Sequence, residues 1–456
     1  MAREAARYLA PMAWVNGAWA ADVLLGVGAD GRWNEVTCAA PPAAQRGALR
    51  LDGPVLPGLV NGHSHAFQRS MAGLAERSDG ASDDFWSWRE RMYSAANRIS
   101  PEQLEAIAAF LYGELLAAGY TQVCEFHYLH NAPGGRPYAE PAEMSLALVR
   151  AARRAGIGLT LLPTLYMRSG FAAAGLREDQ LRFASTPDSV LRIGRSIRAQ
   201  AGDDGIVTTG VALHSLRAVD EVALLEAAAA AGQAPIHIHI AEQLLEVDDC
   251  VARHGRRPVE WLLDKAPVNE RWNLVHATHC APAELEGLRH RGASIVVCPS
   301  TEANLGDGVF DLARWLGQSG RWSIGSDSHV TRSWRDELRL LEYSQRLTRR
   351  QRNVAARAAL RESSAAALFQ GAVEGGSAAA GLPLAGLAPG QRADFVVIDA
   401  EAPALLGVPP GDVLDALVFS SPEARLAQVF VSGRRVEPAT PEMRARFVSA
   451  MRALWS

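Results

Sequence analysis

The stretch Val55-Leu56-Pro57-Gly58-Leu59-Val60-Asn61-Gly62-His63-Ser64-His65 is an apolar run ending in two histidines spaced i, i+2. Side chains alternate along a strand, so both imidazoles face the same side of its end. Two neutral imidazoles on one face can bind one metal ion. A strand end that opens on solvent is where barrel enzymes keep their chemistry. The run therefore reads as a strand over Val55–His63 with a metal corner at its C-terminal end, rather than as two ordinary histidines in a turn.

Seven more runs of this kind follow: Tyr120–Phe126, Gly158–Leu165, Thr208–His214, Pro235–Ile240, Asn273–Ala277, Ser294–Cys298 and Trp322–Gly325. Each is nearly continuous in apolar residues, as a strand buried on both faces must be. Helical patterns lie between them. The clearest opens at Ser100-Pro101-Glu102-Gln103, with Ser as N-cap, Pro at the first helical position and Gln completing a capping box. Its apolar face runs through Leu104, Ile107, Leu111 and Leu115, and Gly119 ends it. A second helix spans Asp220 to Ala231. Eight strand–helix alternations favour a closed (β/α)8 TIM-like barrel of the α/β class over an open doubly wound sheet. No Gly-x-Gly-x-x-Gly follows a strand, which weakens a dinucleotide-binding alternative.

The two ends read differently. Residues 13–52 carry short strands with turn signals at Asn16-Gly17 and Asp30-Gly31, and residues 387–437 repeat the pattern. Neither end is large enough for a core of its own. The expectation is a catalytic barrel over 55–386 beside a small β domain built from 1–54 and 387–456, the latter including a terminal helix.

The chain has 456 residues, 48% of them hydrophobic and 21% charged, with net charge -4. No basic stripe is present, which argues against nucleic acid as a partner. No stretch approaches the apolar length that spans a bilayer. Cys38, Cys124, Cys250, Cys280 and Cys298 are odd in number and scattered, so neither a disulfide framework nor a Cys-rich zinc site is expected. Arg3 and Arg7 precede an apolar segment, and Ala18-Trp19-Ala20 mimics a signal cleavage site. Pro11, Asn16 and Gly17 break that segment, which reads as strand-turn-strand. A cytoplasmic location is the expectation.

Further titratable groups sit at the strand ends. His239 closes the fifth strand with Glu242 three residues on, His276 closes the sixth, and Asp327 follows the eighth. In a barrel all these ends converge on one mouth. His237, two residues before His239, reads as a core residue one layer deeper.

Pro57-Gly58-Leu59-Val60-Asn61-Gly62-His63-Ser64-His65, His239-Ile240-Ala241-Glu242, His276 and Gly325-Ser326-Asp327 resemble the amidohydrolase superfamily. The likeness extends to the split β domain with its Pro389-Gly390-Gln391-Arg392-Ala393-Asp394 segment. It implies one divalent ion held by His63, His65, His239 and Asp327, a donor set that suits zinc, with iron as the alternative. Binuclear members bridge two ions with a lysine on the fourth strand. The only lysine here, Lys265, lies between the fifth and sixth strands, so the resemblance implies the mononuclear type. It also implies a catalytic set of Glu242, His276 and Asp327, which move protons while metal-activated water attacks a C=N carbon.

Within the superfamily the local matches resemble the formimidoylglutamate deiminases. They are Asn61 to Arg69, Phe85 to Tyr93, Glu125 to His130 and Ala212 to Arg217. That likeness implies deimination of N-formimino-L-glutamate to N-formyl-L-glutamate and ammonia, in histidine degradation, by a homodimer. Two substrate carboxylates call for arginine, which binds a carboxylate through two parallel hydrogen bonds. Arg89 and Arg217 are the candidates, with Gln68, Tyr128 and His214 as further substrate contacts, and Trp86 and Trp88 as either a lid or core packing. Two alternatives stay open: a deaminase of an amino-heterocycle such as guanine, and a non-catalytic barrel that only binds.

Overall fold

The computed structural model describes residues 5–77, 84–202, 205–420 and 424–456. Eight strand positions follow one another in parallel: Leu59–Ser64, Tyr120–His127, Gly158–Leu165, a split fourth position, Ile236–Ile240, Trp272–His276, Ser294–Val297 and Arg321–Ile324. The second and third strands are buried along their whole length, with helices covering the outer face, which is why their sequences lack polar alternation. The ring closes where the eighth strand meets the first. Ser64 and Asp327 form a parallel bridge, the Asp327 N–H donates to the His63 carbonyl at 3.0 Å, and the His65 N–H donates to the Asp327 carbonyl at 3.2 Å. The expected α/β barrel is present.

Two strands differ from the sequence reading. The first run is divided at Gly58: Val55–Pro57 pairs with Ala6–Val15 and Phe395–Ile398 in the other sheet, and only Leu59–Ser64 enters the barrel. A Cβ on Gly58 would stand 2.4 Å from the Thr121 side chain, so the chain passes between sheets where only glycine fits. The fourth strand breaks at Gly210 into Val207–Thr209 and Val211–Leu213, and there a Cβ would meet the Pro235 carbonyl at 2.5 Å. An uninterrupted apolar run conceals both breaks, because burial on either side demands the same residue types.

The chain ends do combine. The second sheet runs Arg434–Val436, Leu426–Val431, Phe395–Ile398, Val55–Pro57, Ala6–Val15, Ala18–Val27 and Trp33–Thr37. Asn16 and Gly17, with φ of 50° and 81°, make the tight hairpin turn between its first two strands. A separate apolar cluster fills it, including Tyr8, Leu25, Trp33, Val55 and the stacked pair Phe395 and Phe430, whose ring centroids are 4.1 Å apart. Arg392 ties this sheet to the barrel: it pairs with Asp394 at 2.6 Å and donates to Gln122 Oε1 at 2.9 Å.

The helix Pro101–Ala118 has the expected caps. Ser100 Oγ accepts from the Gln103 N–H at 3.2 Å, Gln103 Oε1 accepts from the Ser100 N–H at 2.9 Å, and Gly119 ends it with φ 103°. The terminal helix Pro441–Trp455 packs on it, with Phe110 and Phe447 stacked at 4.5 Å. Among the described residues, no helix is long and apolar enough to cross a membrane.

Candidate active site

The C-terminal strand ends carry several non-glycine residues in the left-handed region: Ala241 at φ 51°, His276 at 67°, Ala277 at 53°, Asp327 at 44° and His329 at 66°. Such conformations cost of order 1–3 kcal/mol each and persist where the surroundings hold them. Here they turn the chain out of the fifth, sixth and eighth strands directly beneath the barrel mouth.

His63, His65 and His239 are buried, and their Nε2 atoms face one another. His63 Nε2 lies 3.1 Å from His65 Nε2 and 3.0 Å from His239 Nε2. Asp327 Oδ1 is 3.4 Å from the Nε2 atoms of His63 and His65. The tautomers follow from the outer nitrogens. His65 Nδ1 donates to the Phe126 carbonyl at 2.8 Å, and His239 Nδ1 donates to the His214 carbonyl at 2.9 Å. A carbonyl only accepts, so the protons sit on Nδ1 and both Nε2 atoms present lone pairs. Burial drives His63 down to about 3, so it is neutral and its contact with Asp327 is not an ion pair. His63 Nδ1 is buried without a hydrogen-bond partner. Lone pairs 3 Å apart repel unless they share an electrophile. A tetrahedral ion with bonds of about 2.0–2.1 Å has ligand–ligand edges of about 3.3–3.4 Å, close to the separations found. The three imidazoles, with Asp327 beside two of them, therefore make a candidate site for a divalent ion.

His276 lies beside this cluster. Its Nε2 is 3.7 Å from Glu242 Oε1 and 3.8 Å from Asp327 Oδ2, and its Nδ1 is 3.3 Å from Glu302 Oε1. Burial opposes a charge on this ring, but Glu242, Glu302 and Asp327 outweigh it and lift it to about 10. Burial also raises Glu242, against the pull of His276 and Arg217. For Asp327 burial works upward too, yet the hydrogen bond with His63 and the positive charge of His276 hold it ionised, well below the usual carboxylate range. Two carboxylates side by side thus differ: one is held charged, and the other is biased toward its acid form.

A cleft of about 530 Å³ opens above these groups. Gln68, Arg89, Tyr128, His214 and Arg217 all line it, together with His65, His239, Glu242, His276 and Asp327. Gln68 Nε2 donates to the Tyr128 hydroxyl at 3.2 Å. Arg217 approaches Glu242 Oε2 at 3.7 Å, and Arg89 has no ion-pair partner among the described residues. The Nε atoms of both arginines are buried without acceptors. Buried guanidinium N–H groups left unpaired are costly, so this wall is prepared for an anion. Trp88 lines the cleft, whereas Trp86 backs the cations, 4.4 Å from the Arg89 guanidinium and 5.8 Å from that of Arg217.

His237 is buried one layer down, its Nε2 donating to the Ala379 carbonyl at 2.9 Å. Lys265 ends the helix Pro258–Lys265, half exposed and 3.8 Å from Asp264, between the fifth and sixth strands. Four residues near the site were not singled out from sequence. Glu302 accepts from the Cys298 N–H at 2.8 Å as well as meeting His276. Glu125 receives the Ser64 hydroxyl at 2.7 Å and the Ala66 N–H at 2.6 Å, and burial pushes it up to about 7. His329 Nε2 lies 3.1 Å from the His65 carbonyl. Asp307, raised to about 9 by burial and by Glu242, accepts from Gln243. Glu125 and His329 lie at or just after a strand end, whereas Glu302 and Asp307 lie in and just after the helix Pro299–Leu305 that follows the seventh strand.

The model of the amidohydrolase family matches residues 55–436. A formimidoylglutamate deiminase from Pseudomonas aeruginosa is 47% identical over 419 residues, 92% of this chain and 91% of that protein. The crystal structure of an amidohydrolase from Brucella melitensis superposes with a TM-score of 0.92 at 43% identity, covering 99% of this chain and 100% of that one. An adenosine deaminase from Xanthomonas campestris with bound zinc shares the fold, with a TM-score of 0.77 at 22% identity over 98% and 97% of the two chains. A barrel whose strand ends gather these histidines and carboxylates, under a family model that spans most of its length, places this chain in the amidohydrolase family.

Proposed function

We propose that this protein hydrolyses N-formimino-L-glutamate to N-formyl-L-glutamate and ammonia. One observation carries the reading: two guanidinium groups with unpaired buried N–H atoms line the cleft above the histidine cluster. They suit a substrate with two carboxylates, and the likeness to the Pseudomonas deiminase supplies the formimino group. A flat, neutral purine would leave Arg89 without an ion-pair partner among the described residues and the buried Nε atoms of both arginines unpaired.

His63, His65, His239 and Asp327 would hold one zinc ion. When bound, such an ion makes water a nucleophile near neutral pH. Asp327 Oδ2 stays ionised, so it can hold the proton given up by water. His276 is anchored through Nδ1 by Glu302, which leaves its Nε2–H to donate toward the oxygen that develops charge. Glu242, biased toward the acid form, delivers a proton to the departing nitrogen. The C–O bond forms, the C–N bond breaks, and the formyl product and ammonia leave. Gln68, Tyr128 and His214 complete the substrate wall, with Arg89 and Arg217 on the carboxylates.

Five unpaired cysteines fit a reducing compartment, so the cytoplasm is the proposed location. A homodimer is proposed on the family likeness and is tested by molar mass in solution. The decisive assay compares ammonia release from N-formimino-L-glutamate and from guanine. Release from the former is expected, and release only from guanine ends this reading.

A further inference from the structure

Gln180 lies in the short turn of helix Glu178–Phe183 and is fully buried. Its Oε1 accepts from the Arg177 backbone N–H at 3.1 Å. A backbone N–H can only donate, so that contact fixes the amide orientation, and the NH2 must point the other way. It points at two phenols, donating to Tyr93 at 3.0 Å and to Tyr166 at 3.1 Å. The two hydroxyl oxygens are 3.4 Å apart. Both tyrosines are buried and line the cleft beside Arg89 and Arg217.

Counting protons gives the consequence. Each phenol oxygen already accepts one hydrogen from Gln180, so its own O–H must point elsewhere. One O–H can bridge the pair. The other has no acceptor among the described residues and is left for whatever occupies the cleft. Tyr166 remains a phenol, since burial raises it well above its ordinary value despite the two nearby arginines. Arg177 anchors the turn by pairing with Glu90 on the helix Phe85–Ala96 at 2.8 Å, so the frame that holds Gln180 also holds Tyr93 and Arg89.

We infer that Tyr93 and Tyr166, set by Gln180, join Arg89 and Arg217 to form the seat of one substrate carboxylate. The tyrosine with the free O–H contacts that carboxylate as a specificity-determining residue, and its partner phenol and Gln180 are positioning residues that aim it. The inference rests on the proposed reaction for its substrate but names three side chains which that reading does not use. The seat suits an anion because two guanidinium groups with unpaired N–H atoms and one free phenol O–H line it, with Glu242 3.7 Å from Arg217 at its edge toward the histidines.

The test uses zinc-loaded, full-length enzyme and the variants Tyr93→Phe, Tyr166→Phe and Gln180→Glu. The carboxylate of Gln180→Glu would accept from both phenols and turn their protons away from the cleft. KM for N-formimino-L-glutamate should rise roughly tenfold to a hundredfold in Tyr166→Phe and Gln180→Glu, as expected for losing a hydrogen bond to a charged group, with kcat changing less than about threefold. Combining these two changes should cost little more than either alone, because both remove the same donor. The N-formimino derivatives of 4-aminobutyrate and L-2-aminobutyrate each lack one carboxylate, and one of them should be indifferent to Tyr166→Phe. Calorimetric binding of glutarate, weaker in the variants, reads the seat without turnover. Wild-type enzyme that binds glutarate but releases no ammonia would refute the reaction and leave the seat standing. Active wild-type enzyme with unchanged KM in all three variants, or both analogues fully sensitive to Tyr166→Phe, would overturn the seat. Should Gln180→Glu fail to fold, the two phenylalanine variants, which remove one oxygen each, decide the question.

Discussion

Replacing Glu242 with Gln removes a charge and a transferable proton while keeping the shape of the side chain. Glu242 is not in the histidine cluster, whose Nε2 atoms lie 3.0 and 3.1 Å apart, so zinc content should stay at one ion per chain. General acid–base catalysis by a positioned group typically supplies 10²- to 10⁴-fold, or about 3–5 kcal/mol of barrier. kcat should therefore fall by roughly that factor. KM should move the other way or not at all. Arg217 now lies 3.7 Å from Glu242 Oε2, and its pull opposes the burial that favours the acid form of Glu242. Freed of that partner, Arg217 has more of its field to offer a substrate carboxylate. Steady-state ammonia release, metal analysis of the purified variant and calorimetry with N-formyl-L-glutamate would measure the three quantities. A variant with full zinc and kcat within about threefold of wild type would refute the proton role of Glu242. Loss of zinc would refute the separation of Glu242 from the metal site.

Three further outcomes are expected. Arg217→Ala should raise KM roughly tenfold to a hundredfold with a smaller change in kcat, and unchanged kinetics would remove Arg217 from the substrate wall. Glu337 is buried, with Ser300 alone among the described residues bonding its oxygens, and burial pushes it up to about 8. Its contribution to stability is therefore full below about 4.5, erodes as pH rises and is gone above about 8. Glu337→Gln should flatten that decline and raise the melting temperature at pH 8, whereas an unaltered pH slope would contradict it. Stripping divalent ions with a chelator should lower the melting temperature and abolish activity, with stoichiometric zinc restoring both; protein that is indifferent to zinc would count against the four-ligand site.

Much of this was legible in the sequence because barrel geometry converts local patterns into a shared place. His63 and His65 predict one face from strand alternation alone, and the structure puts their Nε2 atoms 3.1 Å apart. Asp327 and His239 were legible as strand-end residues, and the mouth brought them together. The breaks at Gly58 and Gly210 were not legible, because they depend on Thr121 and Pro235, which approach only once the fold exists. Glu302 was missed for a similar reason. It sits one turn into the helix Pro299–Leu305, where a glutamate usually serves the helix dipole, and only the packed loop turns it toward His276. The Gln180 pair of phenols joins Tyr166 to Tyr93, 73 residues away, and leaves no local signature.

The bridge between Ser64 and Asp327 has a temporal consequence. Its neighbour, the bond from Asn61 Nδ2 to Ser326 Oγ, joins residues 265 positions apart. During synthesis His63 and His65 emerge long before Asp327. With the ligand set proposed above, ion capture and ring closure would be a single late event, in which the arrival of the eighth strand both completes the coordination and seals the barrel. A nascent chain stalled before that strand should be poor at retaining zinc and vulnerable to proteases, and metal supply should govern how quickly newly made chains become resistant.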